Sequence, residues 1–376
     1  MAPEEGIDVR DIHAGDGGVL LRAGLTLAWL AGTCGPPAHN HGNAEGVPCG
    51  DRSCDAGDVC IDGQCLECDP SHDQVCRDTA GYVCNPDGTL GPKIQQCGPD
   101  EQCFAGTCLG ADECASGTEL IYVVDDTSLL LSFDPSQLAG QPFQPIGVLD
   151  CRPQFPAWPD AEVEGAAPTP FSMSIDRRAL AWVLYSSGEL FLASTVDASC
   201  QPTAFERGQE GFEVFGMGFV SDAPGSSAEK LFIAGGAADQ SAPRLAWIEG
   251  DDLGVSSIAS VPLSEHVPEL TGTGAAELYG YYPGVNTFVA RIDRATAASQ
   301  QTWQLPPLFG TTRAWAFAQW GGVFWIFLTS EDPFTGVNSQ VYRLDPATGD
   351  AQKVLDHTPY MVVGAGVSTC APVMVD

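Results

Sequence analysis

A pair of small residues separated by one position recurs in this chain from residue 172 to residue 366. The spacings between successive copies are 44, 56, 44 and 48 residues. A nearly constant period of this length is typical of stacked or radially arranged units of supersecondary structure, so it constrains the fold strongly. The five copies are Ser172/Ser174, Gly216/Gly218, Gly272/Gly274, Ala316/Ala318 and Gly364/Gly366.

From residue 119 onward the sequence consists of short apolar, β-branched and aromatic runs separated by turns, which predicts an all-β fold. Each complete repeat divides into four strands. The predicted strands are 171–175, 180–185, 189–195 and 201–205; 215–220, 230–234, 243–249 and 255–261; 270–274, 277–281, 287–293 and 301–305; 315–319, 323–328, 340–345 and 352–355.

Four-stranded units repeated around an axis are the blades of a β-propeller. The strand with the two small residues is expected to be innermost, because strands crowd together near the axis and leave no room for large side chains. The fifth copy has no strands after it, so its partners must come from 119–149. The sequence therefore predicts a five-bladed β-propeller closed by a composite blade, in which 362–367 pairs antiparallel with 119–124.

Ten of the 15 cysteines lie between Cys49 and Cys108. The spacing Cys-x5-Cys-x4-Cys occurs at 54–65 and again at 97–108, with glycine two residues before the last cysteine each time, which indicates a duplication. Only one Cys-x2-Cys unit is present, whereas zinc sites use several such pairs or histidine partners. We therefore predict a disulfide-rich module in an oxidising compartment, with connectivity left open, and we expect no metal or other cofactor.

The remaining cysteines are assigned by the propeller hypothesis. Cys114 and Cys370 flank the point at which the composite blade lacks a covalent turn, so a bond between them would replace that turn. Cys151 and Cys200 lie at the ends of outer strands on neighbouring blades and form the last pair. The predicted organisation is a leader (1–34), a linker (35–48), the disulfide-rich module (49–110) and the propeller (111–376).

Charge and the N-terminal segment indicate where the protein resides. With 16 basic and 49 acidic residues the net charge is −33, which excludes nucleic acid and anionic lipid as expected partners. An apolar run at 23–33 after Arg22 has the layout of a secretory signal. Cys34 follows in a context similar to a bacterial lipobox with one inserted residue, so lipidation of Cys34 and ordinary cleavage are both open. We expect an exported monomer that contacts a membrane only through such an anchor.

No nucleophile elbow, phosphate-binding loop or zinc-protease motif occurs in the chain. Ligand sites in propellers usually lie at a channel mouth, and convergent polar groups at such a mouth are the default binding-site hypothesis. The loops expected at that mouth carry eight candidate residues: Trp158, Asp160, Arg207, Glu210, His266, Glu269, Arg313 and His357.

Four stretches carry a resemblance to a known type of protein: 170–176, 183–191, 216–220 and 364–370. With the cysteine spacing, they resemble exported proteins of myxobacterial type, in which a cysteine-rich stalk precedes a propeller-like region. The resemblance covers about 49–372 and implies a cell-envelope, cell-surface or extracellular location, but no activity.

Three functions remain open at this level. The leading hypothesis is a non-enzymatic binding or adhesion protein, with the propeller as recognition head for an extracellular glycan or a surface protein. The second is an extracellular lyase or hydrolase acting on a polysaccharide, with His266 or His357 as base and Arg207 or Arg313 facing a sugar carboxylate. The third is a purely structural envelope component. Convergence of acidic, basic or histidine side chains at one mouth would favour the enzyme, and scattered side chains would favour binding.

Overall fold

Strands and tight turns make up the regular structure. A computed structural model describes residues 47–55, 57–98, 101–110, 114–158, 167–237, 243–250, 252–261, 267–284, 286–306, 311–332 and 336–374. These residues contain no α-helix and two single-turn 3-10 helices, Pro135–Gln137 and Gln209–Gly211, so the all-β prediction is confirmed. The predicted roles of Cys34, Asp160 and His266 lie outside the described residues.

The cysteine-rich region folds into short antiparallel ribbons. Its strands are β1 (Val47–Cys49), β2 (Arg52–Cys54), β3 (Val59–Ile61), β4 (Gln64–Leu66), β5 (Gln74–Arg77), β6 (Ala80–Cys84), β7 (Leu90–Gln96), β8 (Glu101–Phe104) and β9 (Thr107–Gly110). Strands β5, β6 and β7 form a three-stranded sheet, and the others pair in twos. With so little apolar core, these ribbons depend on crosslinks for stability.

The duplication seen in the sequence is repeated in the connectivity of the disulfides. In each copy the first cysteine bonds to the third, as Cys54–Cys65 and Cys97–Cys108. The middle cysteine of each copy bonds to an earlier cysteine outside the copy. The remaining bonds of the region are Cys49–Cys60, Cys76–Cys103 and Cys68–Cys84.

Five four-stranded antiparallel sheets follow. Sheet I contains β13 (Pro170–Ile175), β14 (Leu180–Tyr185), β15 (Leu190–Ser194) and β16 (Cys200–Pro202); sheet II contains β17 (Val214–Ser221), β18 (Glu229–Gly236), β19 (Arg244–Glu249) and β20 (Gly254–Ser260); sheet III contains β21 (Glu269–Gly272), β22 (Leu278–Tyr282), β23 (Phe288–Ile292) and β24 (Ser299–Gln304); sheet IV contains β25 (Thr311–Trp320), β26 (Val323–Asp332), β27 (Gly336–Leu344) and β28 (Ala351–Thr358); sheet V contains β10 (Ile121–Asp125), β11 (Leu129–Phe133), β12 (Phe143–Val148) and β29 (Val362–Val367).

Sheet V combines the two ends of the strand-rich region. Strand β29 pairs antiparallel with β10, with Ile121 opposite Val367 and Val124 opposite Gly364. This is the pairing that the sequence predicts. Cys114 and Cys370 form a disulfide with their Cα atoms 5.8 Å apart, and Cys151 bonds to Cys200. The first of these bonds joins the segment before β10 to the segment after β29, where the other four sheets have a continuous turn.

One terminal strand of each sheet carries one or both of the paired small residues: β13, β17, β21 and β25 in sheets I to IV, and β29 in sheet V. These five strands, called the first strands, contact one another. The order of contacts is β13, β17, β21, β25, β29 and back to β13. A Cβ atom added to Gly366 would lie 2.8 Å from Ser174 Cα, and one added to Gly218 would lie 3.0 Å from Thr271 Cα. Neighbouring backbones therefore exclude side chains at these two copies of the small-residue repeat.

Apolar side chains fill the space between consecutive sheets. Five buried clusters lie between sheets V and I, I and II, II and III, III and IV, and IV and V. Aromatic contacts mark several of them; the Trp182 and Phe219 rings are 5.7 Å apart, and the Phe133 and Trp325 rings 5.6 Å. Burial of this kind stabilises the fold by about 25 cal/mol for each Å² of apolar surface.

The disulfide-rich ribbons contact sheet I and the segment that precedes it. The Gln201 side chain accepts a hydrogen bond from the Ala105 N–H (2.7 Å) and donates one to the Cys103 carbonyl (2.7 Å). The Cys60 N–H donates to the Gln154 side chain, and Arg152 forms an ion pair with Asp69. These contacts lie within one compact unit, Ala44–Asp376.

Candidate functional site

The structure brings two of the predicted site residues, Trp158 and Arg207, into direct contact. The guanidinium carbon of Arg207 lies 3.9 Å from the centroid of the Trp158 ring and 4.5 Å from that of Phe155. Phe155 and Trp158 lie in the segment between β12 and β13, and Arg207 lies in the segment between β16 and β17. A guanidinium at these distances is attracted to the negatively charged faces of the rings, which fixes the three side chains relative to one another.

Glu189 positions the segment that carries the two aromatic residues. Its carboxylate accepts hydrogen bonds from the backbone N–H groups of Gln154 (2.8 Å) and Phe155 (3.1 Å) and from the Ser187 hydroxyl (2.8 Å). Burial raises the pKa of Glu189, while these bonds and the charge of Arg207 oppose the rise. In the sequence, Glu189 begins a predicted strand (189–195) and is not a candidate site residue, because nothing near it in the chain indicates its partners.

We call Phe155, Trp158, Glu189 and Arg207 the Trp158–Arg207 patch. The two rings and the arginine are partly exposed, and the Trp158 backbone N–H is held by the Ser186 carbonyl at 3.0 Å. The Trp158 Nε1 atom is buried and has no hydrogen-bond partner among the described residues. Tryptophan and arginine on a rigid base are the residue types that dominate binding energy in protein interfaces.

Glu210 lies near this patch in sequence but has a different role. Glu210 is exposed and has a positive φ of 51°. Its backbone carbonyl, rather than its side-chain carboxylate, accepts a hydrogen bond from the Arg244 guanidinium. The Arg244 guanidinium carbon lies 4.7 Å from the Phe212 ring centroid. Glu210 therefore contributes a backbone contact that holds its loop against sheet II.

Glu269 is buried among the first strands of the sheets, with 3% of the residue exposed. Its carboxyl accepts a hydrogen bond from the Ser172 hydroxyl at 2.5 Å and another from the Met217 backbone N–H. Burial raises its pKa well above the ordinary value, which favours the neutral carboxyl. Because the side chain is enclosed, it links sheets I, II and III instead of facing a ligand.

Arg313 and His357 each interact with a carboxylate of their own sheet. Arg313 donates from Nε to Glu331 at 2.7 Å, and both side chains are about half exposed. The exposed His357 ring lies 4.0 Å from the Asp356 carboxylate, which also pairs with Lys353. Among the described candidates, only Trp158 and Arg207 meet, so the others do not form an acid–base cluster with them.

Two groups of residues have side-chain atoms close enough to hold a metal ion: Cys49, Cys54 and Cys65, and Cys97, Glu101 and Cys108. All five cysteines are in disulfides, and a disulfide sulfur lacks the thiolate charge with which cysteine binds metals. In the oxidised protein the cysteines of both groups therefore serve as crosslinks.

Comparison with models of known protein families and with curated proteins finds no match. None of the helices in the described ranges has the length and apolar character needed to cross a bilayer. Seven disulfides indicate an oxidising setting, extracellular or periplasmic. Fold and crosslinks thus define a disulfide-rich, all-β protein of that setting.

Proposed function

We propose that this protein is an exported binding or adhesion protein whose five sheets are the blades of a five-bladed β-propeller. Three features support the propeller: four strands in each sheet, first strands whose contacts return to their starting point, and apolar clusters between successive sheets. The composite sheet V closes the ring, and the disulfide-rich module before residue 111 serves as a stalk. The resemblance to exported myxobacterial-type proteins agrees with this organisation.

The Trp158–Arg207 patch carries the binding proposal. It lies in the loops that join sheets V to I and I to II, so it belongs to a surface formed by several blades. Its rings and guanidinium are already fixed by mutual contact and by Glu189, so binding costs little side-chain entropy. An extracellular glycan or a surface protein is the partner whose chemistry fits an aromatic and cationic surface.

The arrangement of the other candidates favours binding over catalysis. Glycan cleavage needs an acid and a base within reach of one bond, usually as two carboxyl groups or a histidine with a basic neighbour. Arg313 and His357 are paired with local carboxylates, and Glu269 is enclosed. A polysaccharide lyase or hydrolase is therefore the second proposal and a structural envelope component the third.

Anchoring is part of the same proposal. An export signal within 1–34 would deliver the protein as a monomer, held at the membrane if Cys34 is lipidated and released if cleavage is ordinary. The boundary between stalk and propeller near residue 110 remains a prediction.

The test is binding of the full-length oxidised protein to a glycan array and to a panel of surface proteins. Arg207→Lys keeps the charge but loses the planar contact with both rings, and Trp158→Ala removes one ring. We expect either change to weaken binding by about tenfold or more, as for hot-spot residues. Arg313→Lys, at an exposed ion pair, is the matched control and should bind like the parent.

Unchanged binding by both patch variants, with melting temperatures equal to that of the parent, would refute the role of the patch. Shortened or unsaturated sugar products on the array would replace the binding proposal with the enzymatic one. Absence of any ligand in both panels would leave the structural role as the better account.

A further inference from the structure

A second surface feature lies between sheets II and III. It is a cavity of about 630 Å³, a size within the range of small-molecule sites. Its walls come from β18, β19 and β20 and from the turns after β17 and β23. The lining residues that matter here are Asp222, Lys230, Phe232, Trp247, Ser257 and Arg294.

Two basic residues share this cavity. Lys230 is one of three lysines in a chain of net charge −33. Neither Lys230 nor Arg294 forms an ion pair with any described acidic residue. Arg294 donates hydrogen bonds to the Ser221 carbonyl at 2.9 Å and the Asp222 carbonyl at 3.3 Å, which fix the guanidinium without neutralising it. Two cations without an ion pair, against the single carboxylate of Asp222, leave an excess of positive charge in the cavity that favours an anion.

The wall beside these cations is aromatic. The Trp247 and Phe232 ring centroids are 6.1 Å apart, and the Lys230 ammonium lies 5.1 Å from the Trp247 centroid. Trp247 Nε1 is buried and has no hydrogen-bond partner among the described residues. Because this atom is inaccessible to solvent, it does not face the cavity, and Trp247 offers a ligand only the exposed part of its ring.

We propose that this cavity binds a carboxylated sugar, a hexuronate unit of an acidic polysaccharide. The carboxylate would face Lys230 and Arg294, and the apolar C–H face of the sugar ring would lie against the aromatic wall. The inference goes beyond the proposed function, because the cavity shares no residue with the Trp158–Arg207 patch and requires a separate ligand contact.

A hexuronate fits these features better than a small inorganic anion. Phosphate or sulfate would use the two cations but would leave the aromatic wall without a partner. A neutral sugar would use the wall but not the cations. The exposed Asp222 carboxylate at the edge of the cavity would oppose any anion, so its removal offers a change that should strengthen binding.

The test is calorimetric titration of the full-length oxidised protein with tetragalacturonate. EDTA is present throughout, so that no divalent cation bridges the ligand to acidic residues. We expect Lys230→Gln to raise Kd about tenfold or more, because it removes a charge-assisted contact. Trp247→Phe should raise Kd severalfold, since it reduces the aromatic surface that the sugar ring can cover, and Asp222→Asn should lower Kd.

Lys353→Gln is the control, since it removes one positive charge from the exposed strand β28. Its Kd should equal that of the parent, because Lys353 does not line the cavity. The proposal is overturned if tetragalacturonate does not bind, if neutral galactotetraose or inorganic phosphate binds as tightly, or if Lys353→Gln weakens binding as much as Lys230→Gln.

Discussion

At the scale of single residues, burial of carboxyl groups is the feature with the clearest chemical consequence. Glu229, at the start of β18, accepts hydrogen bonds from the Thr369 hydroxyl (2.6 Å) and the Arg177 backbone N–H (3.0 Å). Burial raises its pKa to about 7, against an ordinary value of 4.5, while those two bonds oppose the rise. Between about pH 4.5 and 7, the Glu229 carboxyl is therefore protonated in the folded protein and ionised in the unfolded chain.

This difference predicts how stability depends on pH. Because the folded-state pKa is the higher one, the contribution of Glu229 is fully present below about pH 4.5 and is lost as pH rises through about 7. The loss is on the order of 3 kcal/mol. Glu229→Gln removes the titrating group, and its amide can still accept from the Arg177 N–H and donate to the Thr369 hydroxyl oxygen. Its urea unfolding free energy should therefore fall less between about pH 4.5 and 8 than that of the parent.

Glu206→Gln removes an acidic group of equal charge from an exposed position and serves as the control. Its pH profile should parallel that of the parent protein. If the Glu229→Gln profile were also parallel to the parent, the buried carboxyl would not be a source of the pH dependence.

Trp158 and Arg207 could be predicted as site residues from the sequence, whereas Glu189 could not. Trp158 and Arg207 were recognisable as loop residues of unusual type, but their contact joins positions 49 residues apart and depends on how two sheets pack. Glu189, Glu229 and Lys230 have no local motif. Segments distant in the chain form their surroundings, so the residues next to them in sequence do not predict their contacts.

At the scale of strands, the short apolar, β-branched and aromatic runs, together with the repeat of small residues, were sufficient to predict all five sheets. The ends were less accurate. Strand β16 ends at Pro202, three residues before the predicted end, although the Thr203 N–H still donates to the Leu190 carbonyl at 3.2 Å. The hairpin of β26 and β27 extends beyond the predicted ends, since polar pairs such as Thr329 with Ser339 maintain backbone pairing without an apolar face.

The turns of the disulfide-rich region show a second agreement between sequence and structure. The glycine two residues before the last cysteine of each copy, Gly63 or Gly106, has a φ of 75° or 77°. The preceding residues, Asp62 and Ala105, also have positive φ. Two successive positive φ values define the tight hairpin turn that places Cys60 opposite Cys65 and Cys103 opposite Cys108.

The small-residue repeat yields a prediction about β29. Gly366→Ala would place a Cβ atom 2.8 Å from Ser174 Cα and 2.9 Å from the Ile175 nitrogen, so backbone must move. We expect a loss of about 1–3 kcal/mol in unfolding free energy, typical of overpacking. Gly254→Ala, on β20, is the control because its nearest atom would be 3.8 Å away. Equal stabilities of the two variants would contradict the crowding of the first strands.

At the scale of the whole molecule, one disulfide connects the two ends of the strand-rich region. The Cys114–Cys370 disulfide joins residues 256 positions apart, whereas Cys151–Cys200 spans 49. In the chain-entropy model, the longer loop contributes about 5 kcal/mol and the shorter about 4 kcal/mol. The two bonds therefore have entropic effects of the same order. Of the two, only Cys114–Cys370 connects the segment after β29 to the segment that leads into its partner strand β10.

Paired alanine substitutions separate the two roles. Cys114→Ala with Cys370→Ala should increase amide hydrogen exchange at Val362–Val367 and at the adjacent Ile121–Asp125 before other strands are affected. Cys151→Ala with Cys200→Ala should lower the melting temperature without selective exchange at β29. Uniform exchange across all five sheets in the first variant would mean that the bond adds stability but does not secure the closing strand.

The position of β29 also determines when folding can be completed. A chain synthesised or threaded through a translocation channel from its N-terminus presents β10 long before residues 362–370 emerge. Until then, β10 has one unpaired edge, and β13 and β25 each lack a neighbour that they contact in the finished protein. A chain that stops short of Cys370 also retains an unpaired thiol at Cys114. Incomplete molecules therefore differ chemically from complete ones, which gives thiol-dependent quality control a direct means to recognise them.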